Sequence, residues 1–127
     1  GGYMVERRHS PQERRKSHRV AAVFAVKSVL GSRVILGQAE DIGPCGITLR
    51  RPKDVPYAVQ SHVLLVFELP GLGEVIARAQ VVSDTRAGLY RRTGVRFTNL
   101  SPEHQRLVQA FCYQHSPASF TAIGQVA

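Results

Sequence analysis

The chain has 127 residues, enough for one domain with a real core, and 43% hydrophobic against 20% charged residues excludes a disordered chain. Seventeen Lys and Arg against nine Asp and Glu leave a formal charge of +8, which points to an anionic partner. Cys45 and Cys112 lie far apart with no CxxC spacing, a poor pattern for a disulfide framework or a zinc site, and two reduced thiols are expected. No run has the length of a signal-peptide core or a membrane span, so a cytoplasmic protein with no membrane partner is expected.

The charge is uneven: Arg7, Arg8, Arg14, Arg15, Lys16 and Arg19 put six of the 17 cations in the first 19 positions. Residues 1–12 read as a flexible N-terminal arm, 13–115 as the domain and 116–127 as a loose tail. Short β-rich runs then alternate with turn residues. Val20–Val29 is the first and ends at Gly31-Ser32, a hairpin turn; Arg33–Asp41 is the second. The turn IGPCG precedes a third strand, Ile47–Arg50. Arg51–Gln60 holds Pro52 and Pro56 and is expected to be a loop. His62–Leu69 and Glu74–Ser83 are joined by PGLG, and Gly88–Thr98 is the sixth run. In Glu74–Ser83, Val75, Ala77, Ala79 and Val81 alternate with Glu74, Ile76, Arg78 and Gln80, which predicts one buried face. Ser101-Pro102-Glu103 then reads as an N-cap, a first-turn proline and a first-turn acid. Leu107, Val108, Phe111 and Cys112 recur at helical spacing, and the helix should stop before Ser116-Pro117. The expected fold class is mainly β: a six-stranded antiparallel barrel with a C-terminal α-helix and a basic N-terminal arm.

Catalytic constellations are missing. His9, His18, His62, His104 and His115 are scattered, and no HExxH, GxSxG, Walker loop or paired carboxylates in an apolar setting occur. No acid, base and nucleophile set can be assembled, so no enzyme, no metal and no cofactor are expected.

Two stretches carry recognition chemistry. Arg15 and Arg19 are four residues apart, with Arg14 directly before them. A guanidinium can grip a phosphate with two parallel bonds, pair with the O6/N7 edge of guanine, or stack on a purine. Alone, such a run is a solvated face. The second stretch is DIGPCG, Asp41 to Gly46, in the turn between two strands. Gly43 and Gly46 let a ligand approach the main chain, and the Asp41 carboxylate can accept from the N1 and N2 edge of guanine. Alone, it is a turn with an aspartate.

Together, these stretches and the terminal GVRF (Gly94–Phe97) resemble the PilZ domain, over about residues 13–115. That resemblance implies a six-stranded barrel that binds cyclic di-GMP through RxxxR and [D/N]xSxxG motifs. Arg15 and Arg19 match the first; Asp41 and Gly46 match the second. The serine of the motif is Gly43 here, which removes a side-chain hydroxyl and should cost about 1 kcal/mol, or several-fold in affinity. The resemblance gives Arg15 and Arg19 phosphate and guanine edges, and gives Asp41 a guanine. Arg14 is implied to engage a second, intercalated ligand, hence two cyclic di-GMP per protomer. The ligand would order the arm over the barrel and alter contacts with a protein partner in trans. Two alternatives stand beside this. Gly43 keeps open a PilZ scaffold that binds protein and no nucleotide. A nucleic-acid-binding barrel is the weaker one, with Tyr90 among Arg91 and Arg92 its best stacking residue and Phe24 and Phe67 assigned to the core.

Overall fold

The computed structural model describes residues 19–116. Arg14, Arg15 and the expected arm over 1–12 therefore lie outside the described residues, as does the tail from 117 on. The elements are β1 (Val20–Ala21), β2 (Ala25–Leu30), β3 (Arg33–Gly43), β4 (Gly46–Pro52), β5 (His62–Leu69), β6 (Gly73–Ala87), β7 (Tyr90–Asn99) and α1 (Pro102–Gln114). Every pairing is antiparallel. The order β1-β3-β2-β5-β6-β7-β4 is closed by β3 pairing also with β4, so β2 to β7 form the six-stranded barrel. Closure removes the free edges that an open sheet would present.

The expected first strand is two pieces. Burial alternates without a break from Val20 to Val26, which is why the sequence reads as one run. The register against β3 changes between the two pieces: three residues, Ala22 to Phe24, face two, Ala39 and Glu40, where β3 also carries a bulge against β4. Single bonds from Ala22 N–H to Glu40 O (3.0 Å) and Ala39 N–H to Phe24 O (2.8 Å) span the gap. Gly31 has φ 62°, a left-handed value that closes the β2–β3 turn.

Inward residues of the strands, among them Val26, Ile42, Leu49, Leu65, Val75 and Val81, are 0–1% exposed and fill the barrel. Helix α1 starts as expected: Ser101 Oγ accepts from His104 N–H at 3.1 Å, with Pro102 and Glu103 in the first turn. Its apolar face buries Val108, Phe111 and Cys112. Phe111 meets Phe24 edge-on at 6.0 Å, and Phe24 stacks on Phe67 at 5.4 Å, so both strand phenylalanines are core. The Cys112 thiol points at Ile42 O, 3.7 Å away, which brings the last turns of α1 to the end of β3.

β4 runs through Arg51 to Pro52, where a loop was expected, and β6 continues past Ser83 to Ala87. A buried polar cluster explains both extensions. Arg51, with a 0% exposed side chain, donates to Asp84 Oδ1 at 3.0 Å and to Thr93 Oγ1 at 2.9 Å. Asp84 also accepts from Thr93 Oγ1 (2.6 Å), Tyr57 N–H (3.0 Å) and Arg91 Nε (2.8 Å). Arg51 Nη1 has no hydrogen-bond acceptor among the described residues, and the guanidinium lies 3.5 Å from the Tyr57 ring centroid. Burial alone would raise the Asp84 carboxyl. The four donors outweigh it and hold Asp84 below the ordinary aspartate range.

Candidate functional site

The site forms where chain entry, barrel closure and helix end converge. Arg19 stands just before β1, and β1 pairs with β3 so that Val20 faces Ile42 and Ala21 faces Asp41. This register carries the Arg19 guanidinium across to Asp41, 22 positions away in sequence. Nη1 donates to Asp41 Oδ1 at 2.9 Å and to Thr48 Oγ1 at 3.4 Å. Asp41 and Thr48 are partners in the β3–β4 ladder, on its outward face. The arginine side chain is 37% exposed and the aspartate 33%, so the pair meets solvent.

Gly43 and Gly46 close that ladder as its last pair, joined by the turn Pro44-Cys45. Both are buried, and neither has a left-handed φ. Gly46 is needed for room instead. A Cβ there would lie 2.2 Å from Val95 O and 3.2 Å from Arg19 Nη2. The expected freedom of the turn is thus a close backbone approach, with the Arg19 guanidinium seated over the glycine. Phe97 N–H donates to Cys45 O at 2.8 Å and pins the turn to β7.

The structure brings together Arg19, Asp41, Gly43 and Gly46; Arg14 and Arg15 lie outside the described residues. Two residues that sequence reasoning passed over join the group. Thr48 is one, and its signal was its position two residues after Gly46, on the outward face of β4. Arg96 is the other, paired with Gly46 across β4–β7 and donating to Gln80 Oε1 at 2.6 Å.

Next to Asp41, the bulge residue Glu40 gathers two arginines. Arg50 Nε reaches it at 2.6 Å and Arg92 Nε at 2.9 Å. These bonds hold the Glu40 carboxyl below its usual value and raise both guanidinium groups. Tyr90 lies under Arg50 (4.5 Å) and near Arg92 (5.8 Å), while Arg91 turns inward to Asp84. The expected Tyr90–Arg91–Arg92 stacking group is therefore Tyr90 with Arg50 and Arg92. Burial pushes the Cys112 thiol up to about 11 against the opposing charge of Arg19, so it is an inert thiol. Among the described residues no group of three or more His, Cys, Asp and Glu is placed to hold a metal ion, and no helix is long and apolar enough to cross a membrane.

A closed six-stranded antiparallel barrel, with a helix against it and an arginine–aspartate pair at the closing ladder, defines a small β-barrel class of domain. The PilZ domain model matches residues 13–114, and the chain belongs to the PilZ domain family. No curated protein matches it. Among solved structures it is similar to the PilZ domain of Escherichia coli YcgR with c-di-GMP, at 17% identity and a TM-score of 0.69, over 87% of this chain and 98% of that one. The Bacillus subtilis inhibitor of motility MotI/DgrA gives 16% identity and a TM-score of 0.70, over 76% of this chain and 48% of that one. The Borreliella burgdorferi PlzA protein in complex with c-di-GMP gives 8% identity and a TM-score of 0.57, over 96% and 58%. At these identities the likeness shows the fold. The chain spans about half the length of MotI/DgrA.

Proposed function

We propose that this domain is a cytoplasmic cyclic di-GMP receptor that acts as an adaptor, changing its contact with a protein partner in trans. The observation that carries this reading is the exposed meeting of Arg19 with Asp41, Thr48 and the backbone of Gly46. That is a cation fork and a carboxylate on one surface, with the fork seated over a close-packed glycine. A phosphate matches the fork, and the guanine N1–H and N2–H edge matches the carboxylate. Relatives with the same fold have been solved with c-di-GMP, which supports the choice of ligand.

Binding has to separate Arg19 from Asp41. An exposed ion pair contributes about 0–1 kcal/mol, so its exchange for a charge-assisted phosphate bond is favourable. Arg14 and Arg15 precede Arg19 by five and four positions in the sequence. A dianionic ligand relieves the mutual repulsion of the three guanidinium groups, so its binding orders residues 14–18 over the β3–β4 turn. Arg14 adds a third guanidinium that engages a second ligand, giving two per protomer. Gly43 contributes its N–H where the family motif has a hydroxyl.

Isothermal titration of cyclic di-GMP tests the reading, with GMP as control and Arg14→Ala, Arg15→Ala and Arg19→Ala in parallel. Saturable micromolar or tighter binding, absent for GMP and lost in Arg15→Ala and Arg19→Ala, is expected. Removal of one charged hydrogen-bond donor is worth about 1.5–3 kcal/mol, or roughly ten- to hundredfold. Arg14→Ala should halve the stoichiometry. No heat at high ligand concentration would refute the receptor reading in favour of a protein-binding scaffold.

A further inference from the structure

The outer surface opposite the candidate site carries apolar rows interrupted by Lys27 and is charged with opposite signs at its two ends. The barrel order places β5 and β6 diametrically across from the β3–β4 closure. Val63, Leu65, Phe67, Val75, Ala77 and Ala79 point into the core. Their alternates point outward and pair in rows: Leu64 with Arg78, Val66 with Ile76, Glu68 with Glu74. β2 extends the rows, with Val29 beside Leu64 and Lys27 beside Val66. Beyond it, Val34 and Leu36 of β3 are 59% and 64% exposed, and Ile76 is 45% exposed. Exposed apolar rows across neighbouring strands are uncommon on a monomer's surface.

We propose that this face, centred on the β5–β6 hairpin, pairs two copies of the chain about a twofold axis running along the Val66–Ile76 row. An isologous contact needs a self-complementary patch. This one is so by register. Arg78 and Glu74 stand two residues either side of Ile76 on β6, so the twofold sets Arg78 of one copy against Glu74 of the other, twice. Ile76 meets Ile76 and Val66 meets Val66 on the axis. Glu68 of one copy comes over Leu64 of the other, within a lysine's reach of that copy's Lys27. Arg78 and Glu74 are thereby matched twice, while Lys27, which shares the Val66–Ile76 row, faces the other copy's Lys27 with Glu68 of both copies beside the pair.

Other occupants fit less well. Residues 1–18 carry Glu6 and Glu13 against five Lys and Arg, so they supply an excess of cations. Residues 117–127 contain no charged side chain and would leave all four groups unmatched. The acids also oppose an anionic lipid surface. The inference goes beyond the nucleotide reading and does not depend on it, because the face lies on the far side of the barrel. A dimer built this way presents two ligand sites outward, one at each end.

Sedimentation velocity on the full chain tests this, from about 10 μM to about 1 mM, without nucleotide. The proposal predicts a monomer–dimer transition whose midpoint falls within that range. Ile76→Glu should be monomeric throughout. Arg78→Glu should raise the midpoint at least about tenfold, and Arg78→Glu with Glu74→Arg should restore it. All three positions are exposed, so melting temperature checks that the variants are folded. A chain that is monomeric at every concentration, or association indifferent to Ile76→Glu, overturns the proposal. Failure of the double reversal to restore what Arg78→Glu removed overturns the twofold arrangement. Cyclic di-GMP affinity should be the same in all these variants, so failure here leaves the receptor reading to its own test.

Discussion

Gly46→Ala adds one methyl group at the point where the candidate site and the barrel closure share backbone. The new Cβ falls 2.2 Å from Val95 O, while an ordinary C···O contact is about 3.3 Å or more. The obstacle is main chain on β7, so β4 and β7 have to part by about 1 Å. Overpacking of that kind costs about 1–3 kcal/mol. The displacement also strains the Phe97 N–H to Cys45 O bond of 2.8 Å, worth about 1 kcal/mol more. The total is about 2–4 kcal/mol, which for a domain of this size lowers Tm by more than about 10 °C. The same methyl approaches Arg19 Nη2 to 3.2 Å, so the guanidinium loses its seat beside Asp41 and cyclic di-GMP affinity should fall more than about tenfold. Gly31→Ala is the matched control. Its φ of 62° carries about 1–2 kcal/mol of left-handed strain, but nothing lies within 4 Å of the added Cβ. It should lose stability and keep full affinity. Urea unfolding and calorimetric titration of both variants decide the matter. A Gly46→Ala protein with unchanged Tm and unchanged Kd would refute the close-approach argument.

Gly43→Ser reinstates the hydroxyl of the family motif and should tighten cyclic di-GMP binding several-fold, about 1 kcal/mol, by titration; unchanged affinity would count against a ligand role for that position. Asp84→Asn leaves the Arg51 guanidinium buried without its counter-charge and should cost about 3–5 kcal/mol in urea unfolding, whereas a loss under about 1 kcal/mol would show the cluster to be replaceable. Because the Asp84 carboxyl is held below its ordinary value of 3.8, its contribution is fully present above that pH and disappears as pH falls through the lower folded value. Glu40 follows the same sign, so unfolding followed against pH should show stability dropping from about pH 4 downward, with a shallower acid limb in Asp84→Asn.

The elements set by local chemistry were legible in the sequence. Gly31-Ser32 and PGLG mark real hairpin turns, and Ser101-Pro102-Glu103 starts the helix at the expected residue, because a cap depends on neighbours within one turn. The motif residues within the described range, Arg19 and Asp41, are in contact, though the contact follows from a two-residue strand that periodicity merged into β2. What stayed hidden depends on distant partners. Arg51 looks like the start of a loop because an inward arginine makes sense only with Asp84, 33 positions on. Arg91 and Arg92 look alike in sequence, yet strand alternation sends one to Asp84 and the other to Glu40. The bulge at Glu40 has no composition signal; it shows only in the register of β3 against β4.

The pair Gly43–Gly46 is the last rung of the β3–β4 ladder, and that ladder is what turns a sheet into a barrel. The glycine motif is therefore a seam of the barrel, whatever it does for a ligand. A sister domain could lose every affinity for nucleotide and still need a glycine at the position of Gly46, because a bulkier residue would unzip the cylinder. The glycines alone therefore say little about whether a barrel of this kind listens to a second messenger. In the reading proposed above that information would reside in Arg14, Arg15 and Arg19, none of which belongs to a ladder of the six-stranded barrel.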